Sequence, residues 1–370
     1  MDNFEIFATT TPGMEHTLCA EVVRLGYVDA QVVPGGVTFK GGWPDVWRAN
    51  LWLRSAGRVL ARVGSFRAFH LAQLDKRARK FDWAAFLRTD VPVRVEVTCR
   101  KSKIYHDNAA RQRIERALTE SAGVTLSAET EVVLKVRIFD DLCTISIDTS
   151  GESLHKRGHK AGVGKAPMRE NMAAAFLWQC GFTGHEAVVD PMCGSGTFVI
   201  EAAEIAAGLA PGRSRTFGFE QLATFDADAW AAMRAPRQAA DTHADLASLF
   251  HGSDRDAGAI KMATDNAARA GVEVTFNRAA VSDLTPPDTV PGLVIVNPPY
   301  GARIGERKLL FSLYGALGKT LLERFSGWRV GIITSDGGLA KATGLPLLPT
   351  EGPIAHGGLK VQLYRTDPLP

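Results

Sequence analysis

From Met168 onward the chain repeats one pattern, a helix followed by a short run of β-branched and apolar residues. The helical segments read MRENMAAAFLWQC, TFVIEAAEIAAG and AGAIKMATDNAARA; the runs between and after them read EAVVD, SLFHGSD, VEVTF and LVIVN. Strands alternating with helices predict an α/β fold with a parallel sheet covered on both faces. Ligands of such sheets bind beyond the carboxyl ends of the strands, where the strand order reverses. The residues directly after EAVVD, SLFHGSD and LVIVN are therefore the candidates for chemistry.

The front of the chain is organised differently. FEIFATT and GGVTFKG read as strands, and each is followed by an amphipathic helix, one opening at Pro12 and stopping at Gly26, the other spanning WPDVWRANLWLR. That is a small α+β unit of the split βαβ kind. A second unit starts at Arg58. It has a strand at VLARVGSF, a helix around LAQLDKRARKFDWAAFL, a strand at VPVRVEVTC, a helix from Asp107 to about Ser121, and two final strands joined by a tight turn at Asp140–Asp141. The Gly-, His- and Lys-rich stretch SGESLHKRGHKAGVGKAP marks a boundary. The expected division is residues 1–57, 58–155 and 156–370, the useful cut lying near residue 160 inside HKRGHK.

Composition narrows the classes. With 45% apolar and 22% charged residues in a chain of 370, the protein is neither disordered nor a disulfide-framed miniature. Net charge is only +3, but residues 1–165 hold 25 Lys+Arg against 19 Asp+Glu, while the remainder holds 18 against 21. A basic front half suggests a polyanionic partner. Five scattered cysteines without a C-x-x-C pair predict neither a structural zinc site nor disulfides, and a reducing compartment. The N-terminus has no signal-peptide pattern and no apolar run approaches a membrane span, so the expected location is cytoplasmic.

After EAVVD comes DPMCGSGT, Asp190 to Thr197. Gly194 and Gly196 let a ligand approach the backbone, and the next helix offers free N–H groups. A G-x-G turn alone is a weak signal. The absence of a third glycine at the dinucleotide spacing, and an acid at the strand end, favour a ligand with a cationic amino group over a pyrophosphate. After SLFHGSD, Asp254 could accept both hydroxyls of a ribose, although Asp254 or Asp256 could equally cap the following helix.

After LVIVN sits NPPY, Asn297 to Tyr300. Two prolines lock a short extended loop, fixing the Asn297 amide and the Pro298 carbonyl. Two such acceptors can converge on a planar amino group while Tyr300 stacks against its ring. They favour a more sp³-like nitrogen, whose lone pair then attacks an electrophilic methyl group. By residue usage this tetrapeptide arises by chance in a chain this long on the order of once in a thousand sequences.

DPMCGSGT, GSDRD and NPPYG, in this order on an alternating pattern, resemble an S-adenosylmethionine-dependent amino methyltransferase of class I, Rossmann-like fold. The linker IDTSGESLHKRGHK with APMRENMAAA, and KSKIYH in the basic unit, extend the resemblance over essentially the whole chain. It is similar to the bacterial 23S rRNA guanine 2-amino methyltransferases that carry an N-terminal ferredoxin-like unit and a THUMP RNA-binding domain. The closing HGGLKVQLYRT resembles the final hairpin of members with a single methyltransferase domain.

The resemblance implies the following roles. S-adenosylmethionine would lie against Pro167, Met168, Asp190, Met192, Gly194, Gly196 and Thr197, with Asp254 and Arg255 at its ribose. Asn297, Pro298, Pro299 and Tyr300 would hold the target base, Asn297 also bordering the cofactor. An acid usually follows the third strand to bind the adenine amino group; Ala280 stands there instead, so adenine recognition would rest on backbone near Ala280 and Val281, with Asp283 three residues away.

Other residues have plainer readings. Cys193 could be mistaken for a cytosine carbon-5 nucleophile, but it should face the cofactor and read as packing. His155 and His159 lack converging ligands for a metal; with Lys156 and Arg157 they suggest RNA phosphate or linker contacts. Lys76, Arg77, Arg79 and Lys80 alone would be a solvated helix face. Together with Lys101, Lys103, Tyr105 and His106 they suggest an RNA-facing surface. The expected function is methylation of a guanine 2-amino group in structured RNA, 23S rRNA first and tRNA second, without metal or membrane. A DNA amino methyltransferase and a non-catalytic RNA-binding assembly factor are the rivals.

Overall fold

The computed structural model describes residues 3–160, 168–235, 248–300 and 307–370. By its contacts the chain forms two compact units. One comprises the described residues of Met1–Thr10, Cys19–Leu154 and Arg215–Ala235; the other those of Thr11–Leu18, His155–Ser214 and Pro236–Pro370.

The first unit is built on one seven-stranded sheet. Its strands are β1 (Phe4–Thr9), β2 (Gln31–Val33), β3 (Gly36–Gly41), β4 (Arg58–Arg67), β5 (Arg94–Arg100), β6 (Val133–Phe139) and β7 (Leu142–Asp148), in the order β2-β3-β1-β4-β7-β6-β5. The two front segments expected from sequence share this sheet, because β4 pairs antiparallel with both β1 and β7. The β6–β7 hairpin turns on Asp140 and Asp141, both left-handed with φ of 50° and 60°, the geometry that matches the twist of the flanking strands.

Helices α1 (Glu15–Arg24), α2 (Trp43–Trp52), α3 (Leu71–Ala78) and α4 (Asp107–Ala122) follow the expected order. The helix expected across LAQLDKRARKFDWAAFL is shorter than its periodicity suggested. The Trp83 indole N–H donates to the Ala78 carbonyl at 2.8 Å, ending α3, while the ring of Phe81 closes over Gly64 of β4. A side chain at position 64 would collide with that ring at 2.6 Å. The segment Arg215–Ala235 lies far along the sequence but belongs to this unit. Phe219 stacks on Trp47 of α2 at 6.0 Å, and Trp230 meets Phe219 edge-on at 5.0 Å.

The second unit carries the alternating pattern. Its sheet holds β8 (Val188–Asp190), β9 (Phe250–Asp254), β10 (Thr275–Arg278), β11 (Leu293–Val296), β12 (Arg329–Thr334), β13 (Ile354–His356) and β14 (Leu359–Arg365), in the order β10-β9-β8-β11-β12-β14-β13. The strands from β10 to β12 pair parallel, and the β13–β14 hairpin closes one edge antiparallel. Leu293 and Ile295 pack into the core on one face; Val294 and Val296 pack into the core on the other. Burial on both faces is why LVIVN has no polar alternation. Helices α5 (Glu170–Gln179), α6 (Thr197–Ala206), α7 (Ala227–Arg234), α8 (Ala257–Ala270), α9 (Arg307–Arg324) and α10 (Gly337–Ala342) complete the helical set, α7 lying in the first unit. Strand order reverses at β8, with β9 on one side and β11 on the other.

Among the described residues no helix is long and apolar enough to cross a membrane, and no group of three or more His, Cys, Asp or Glu could hold a metal ion. The five cysteines are free thiols.

Candidate active site

The reversal at β8 brings three of the singled-out segments onto adjacent strand ends. Asp190 ends β8, Asp254 ends β9, and Asn297 directly follows β11. The glycine loop between β8 and α6 is tied to its neighbour: Gly194 N–H donates to Asp254 Oδ2 at 3.1 Å, and Cys193 N–H donates to the Ser253 carbonyl at 2.9 Å. Asp254 Oδ1 accepts the Asp256 amide at 3.0 Å. Capping of α8 falls to Asp256, whose Oδ1 accepts from Gly258 N–H at 2.8 Å. The alternative left open by sequence resolves this way, and the Asp254 carboxylate faces the glycine loop.

Both loop glycines have positive φ, 53° at Gly194 and 83° at Gly196, which an L side chain would strain. They differ in what surrounds them. A Cβ at Gly194 would meet nothing within 4 Å, so the backbone there borders open space. At Gly196 it would press on Ala263, Ile200 and Phe276 at 3.1–3.2 Å, so that glycine serves close packing of α6. Thr197 then begins α6 as a buried residue.

Asp190 is almost wholly buried, 2% exposed, and accepts the Met192 amide at 3.1 Å. Burial pushes its carboxyl up to about 8, against the Met192 N–H that favours the anion, with the charge of Asp254 adding to the rise. A buried acid held this way suits a cationic group, whose charge would restore its ionised form. Cys193 is buried, and its thiol is pushed far up by burial and by the two acids, so it presents no thiolate.

The NPPY loop contains a second feature that asks for a partner. Asn297 Oδ1 is buried and has no hydrogen-bond donor among the described residues. Leaving an amide oxygen so costs about 1–3 kcal/mol, which a bound N–H donor would recover. The loop is braced from behind by Tyr314 of α9, whose hydroxyl lies 3.4 Å from the Pro299 carbonyl and 3.1 Å from Thr334 Oγ1. Sequence reading did not single out Tyr314; a lone tyrosine in a helix carries no signal. Tyr300 is half-buried, with its phenol raised by burial.

Of the remaining residues, Met168 is buried just before α5 and Val281 is buried after β10, while Ala280 and Arg255 are exposed. No acid occupies position 280, and Asp283 is exposed beside Ser282. Pro167 lies outside the described residues.

The first unit holds a separate basic surface on the loop after β5. Lys101, Lys103, Tyr105 and His106 are all exposed, Tyr105 by 71%. The loop is fixed by its backbone: Lys103 N–H donates to Asp141 Oδ1 at 2.8 Å, and Asp141 N–H donates to Ser102 Oγ at 3.0 Å. Two further aromatics join it that sequence reading missed. Lys103 sits over the exposed ring of Phe69 at 4.9 Å, and Lys101 and Arg137 sit over that of Phe139 at 5.8 and 5.0 Å.

Arg157 corrects an expectation. It is 1% exposed and forms a two-pronged pair with Glu201 of α6, at 2.9 and 3.3 Å, so its guanidinium is not offered to RNA. Lys156 beside it is exposed.

Residues 157–346 match the RMKL-like methyltransferase domain, and residues 5–60 match the RlmL ferredoxin-like domain. The chain belongs to the RMKL-like methyltransferase family. Its fold is the class I, Rossmann-like methyltransferase fold. A Synechocystis protein described as a candidate RNA methyltransferase is 30% identical over 98% of this chain and 96% of its own length. The ribosomal RNA large subunit methyltransferase K/L of Syntrophotalea carbinolica is 36% identical over 92% of this chain, which spans about half the length of that relative. Among solved structures, SMU.472 in complex with S-adenosylhomocysteine is 30% identical, with a TM-score of 0.88 over 100% of this chain and 99% of the other. A Listeria monocytogenes protein named by sequence prediction as an N6-adenine-specific DNA methylase is 31% identical, with a TM-score of 0.85 over 98% and 96%.

Proposed function

We propose that this methyltransferase modifies the exocyclic 2-amino group of a guanine in structured RNA, with 23S rRNA as the first candidate and tRNA as the second. The orphaned Asn297 Oδ1 carries the reading, because a buried acceptor without a donor, beside a glycine loop and two strand-end acids, suits a planar amino group. The basic surface around Lys101 and Lys103, with Tyr105, His106 and the rings of Phe69 and Phe139, supports a nucleic-acid substrate, as do the names of the relatives. Such a cytoplasmic enzyme would use residues 1–57 and 58–155 as ferredoxin-like and THUMP parts, with residues 156–370 for chemistry.

Asp190, Met192, Gly194, Gly196 and Thr197 would hold the methionine part of the donor. Asp254 and Arg255 would hold its ribose, Ala280 and Val281 its adenine, and Pro167 and Met168 its flank. When bound, the donor supplies a methyl group on a cationic sulfur. Asn297 Oδ1 and the Pro298 carbonyl accept the two amino hydrogens and hold the nitrogen lone pair toward that carbon. Pro299 and Tyr300 fix the loop and cover the base. Held in this way, the amino nitrogen would take the methyl group that the donor supplies. The product nitrogen is then cationic and acidic, so water suffices to take its proton.

Nucleoside analysis of rRNA and tRNA from cells with and without the gene tests the assignment. A missing N2-methylguanosine in one pool is expected. Unchanged RNA pools together with an altered DNA adenine pool would instead favour the reading attached to the Listeria relative. In vitro, Asn297→Ala should cut transfer by at least about a thousandfold while donor and RNA binding persist. Retained activity would remove the role given to the loop.

A further inference from the structure

The linker residues His155 to Lys160 enter the second unit with the cations Arg157 and Lys160 turned toward carboxylates, and the segment ends at the glycine loop. Arg157 pairs with Glu201, His159 Nε2 lies 3.4 Å from Glu204, and Lys160 pairs with Glu170 of α5 at 2.9 Å. Lys160 is the last and does more than neutralise a carboxylate. Its Nζ also donates to Thr197 Oγ1 at 2.9 Å and lies 3.4 Å from the Met168 carbonyl.

An ammonium has three N–H donors, and these three acceptors use them all. Lys160 therefore has no donor left for a ligand. What it joins is the informative part. Met168 precedes α5 and Thr197 opens α6 directly after the glycines, so one side chain, 11% exposed, bridges two of the segments that border the donor site.

A second connection grips the same loop from the other side. Asn266 of α8, 1% exposed, donates to the Ser195 carbonyl at 3.0 Å. Arg269 donates to Asn266 Oδ1 at 2.6 Å and to the His159 carbonyl at 2.9 Å. The circuit returns to the linker one residue before Lys160. Within it, the glycine loop has little freedom to drift, although Gly194 and Gly196 would by themselves make it pliable.

The geometry points to Lys160 as a positioning residue for the methyl donor. It holds the Met168 carbonyl and the Thr197 hydroxyl in register, so that the loop is preorganised for binding. This inference rests on the glycine loop being the donor site.

The test uses the full chain and measures binding of S-adenosylhomocysteine by calorimetry, steady-state KM and kcat, and the unfolding midpoint without ligand. Lys160→Met should weaken S-adenosylhomocysteine binding roughly tenfold and raise the donor KM by a similar factor, with kcat at saturation and the RNA KM almost unchanged. Lys160→Arg, which keeps the charge and donors, should recover most of the affinity. A lowered midpoint with unchanged affinity in the folded fraction would reduce Lys160 to a stabilising residue and overturn the proposal. If Lys160→Met does not fold, Lys160→Gln carries the same expectation, its amide keeping a polar group in the pocket. Unmodified protein that binds no S-adenosylhomocysteine would instead break the underlying assignment of the donor site.

Discussion

Two short basic runs, RKSKIYH at 100–106 and HKRGHK at 155–160, look alike in sequence and do opposite things in the fold. The first leaves Lys101, Lys103, Tyr105 and His106 in solvent and anchors itself to Asp141, through the Lys103 N–H and the Ser102 hydroxyl. The second buries Arg157, His159 and most of Lys160 against glutamates of α5 and α6. The difference lies in the partner elements. The β6–β7 hairpin offers the first run the Asp141 carboxylate and the Phe139 ring, and the segment after β4 adds Phe69, whereas α6 presents Glu201 and Glu204, both fully buried, to the second. In the interior Glu201 lies against Arg157 and Glu204 against Arg213, the pairing that a buried carboxylate calls for. A basic run thus reads as a nucleic-acid surface only once the acids around it are known.

Removing a charge from each run should separate these roles. The largest effect is expected from Arg157→Ala, which takes the buried guanidinium away from Glu201 and should cost about 3–5 kcal/mol of stability. Chemical denaturation measures it, and a loss under about 1 kcal/mol would mean the pair is not buried as described.

The double change Lys101→Ala with Lys103→Ala should leave stability within about 0.5 kcal/mol but weaken RNA binding roughly tenfold, and should lower the salt slope by about one to two. A normal slope in a filter-binding titration would shift the RNA surface elsewhere.

The smallest effect concerns the buried acid that faces the proposed donor site. With its carboxyl at about 8 in the folded protein against 3.8 ordinarily, Asp190 is protonated in the native state and ionised in the unfolded one across that interval. Unfolding then releases a proton, so ligand-free stability falls as pH rises from about 4 to 8, and Asp190→Asn should flatten that slope. A cationic ligand needs the ionised form. Binding of S-adenosylmethionine should therefore tighten between about pH 6.5 and 8.5, by only a few-fold because the ligand's own α-amino group loses its proton over the same range, with Asp254 and Cys193 the neighbouring titratable groups. A pH-independent affinity would place the cationic end of the donor away from Asp190.

Much of the second unit was legible before any coordinates. Short β-branched runs spaced by amphipathic helices have few other solutions, and the strand-end rule then named Asp190, Asp254 and Asn297 by position. Shorter-range physics was legible too, as at Asp140–Asp141, where a two-residue turn between strands demands left-handed backbone. What failed to show was whatever depended on side chains from distant segments. Helix α3 stops at Ala78 because Trp83 and Phe81 find partners there and on Gly64, and Arg215–Ala235 leaves the methyltransferase pattern because Trp47 offers its aromatic residues a cavity to fill.

The alternation by itself determined a parallel sheet, because periodicity follows from the local geometry of strands and helices. NPPY likewise determined a rigid loop, since proline restricts its own backbone and that of its predecessor. Only the tertiary structure decided that Asn297 Oδ1 is left without a donor, that Tyr314 braces the loop, and that Arg157 and Lys160 face inward. Those outcomes depend on burial and on which carboxylates lie within hydrogen-bond reach, and both are properties of packed neighbours.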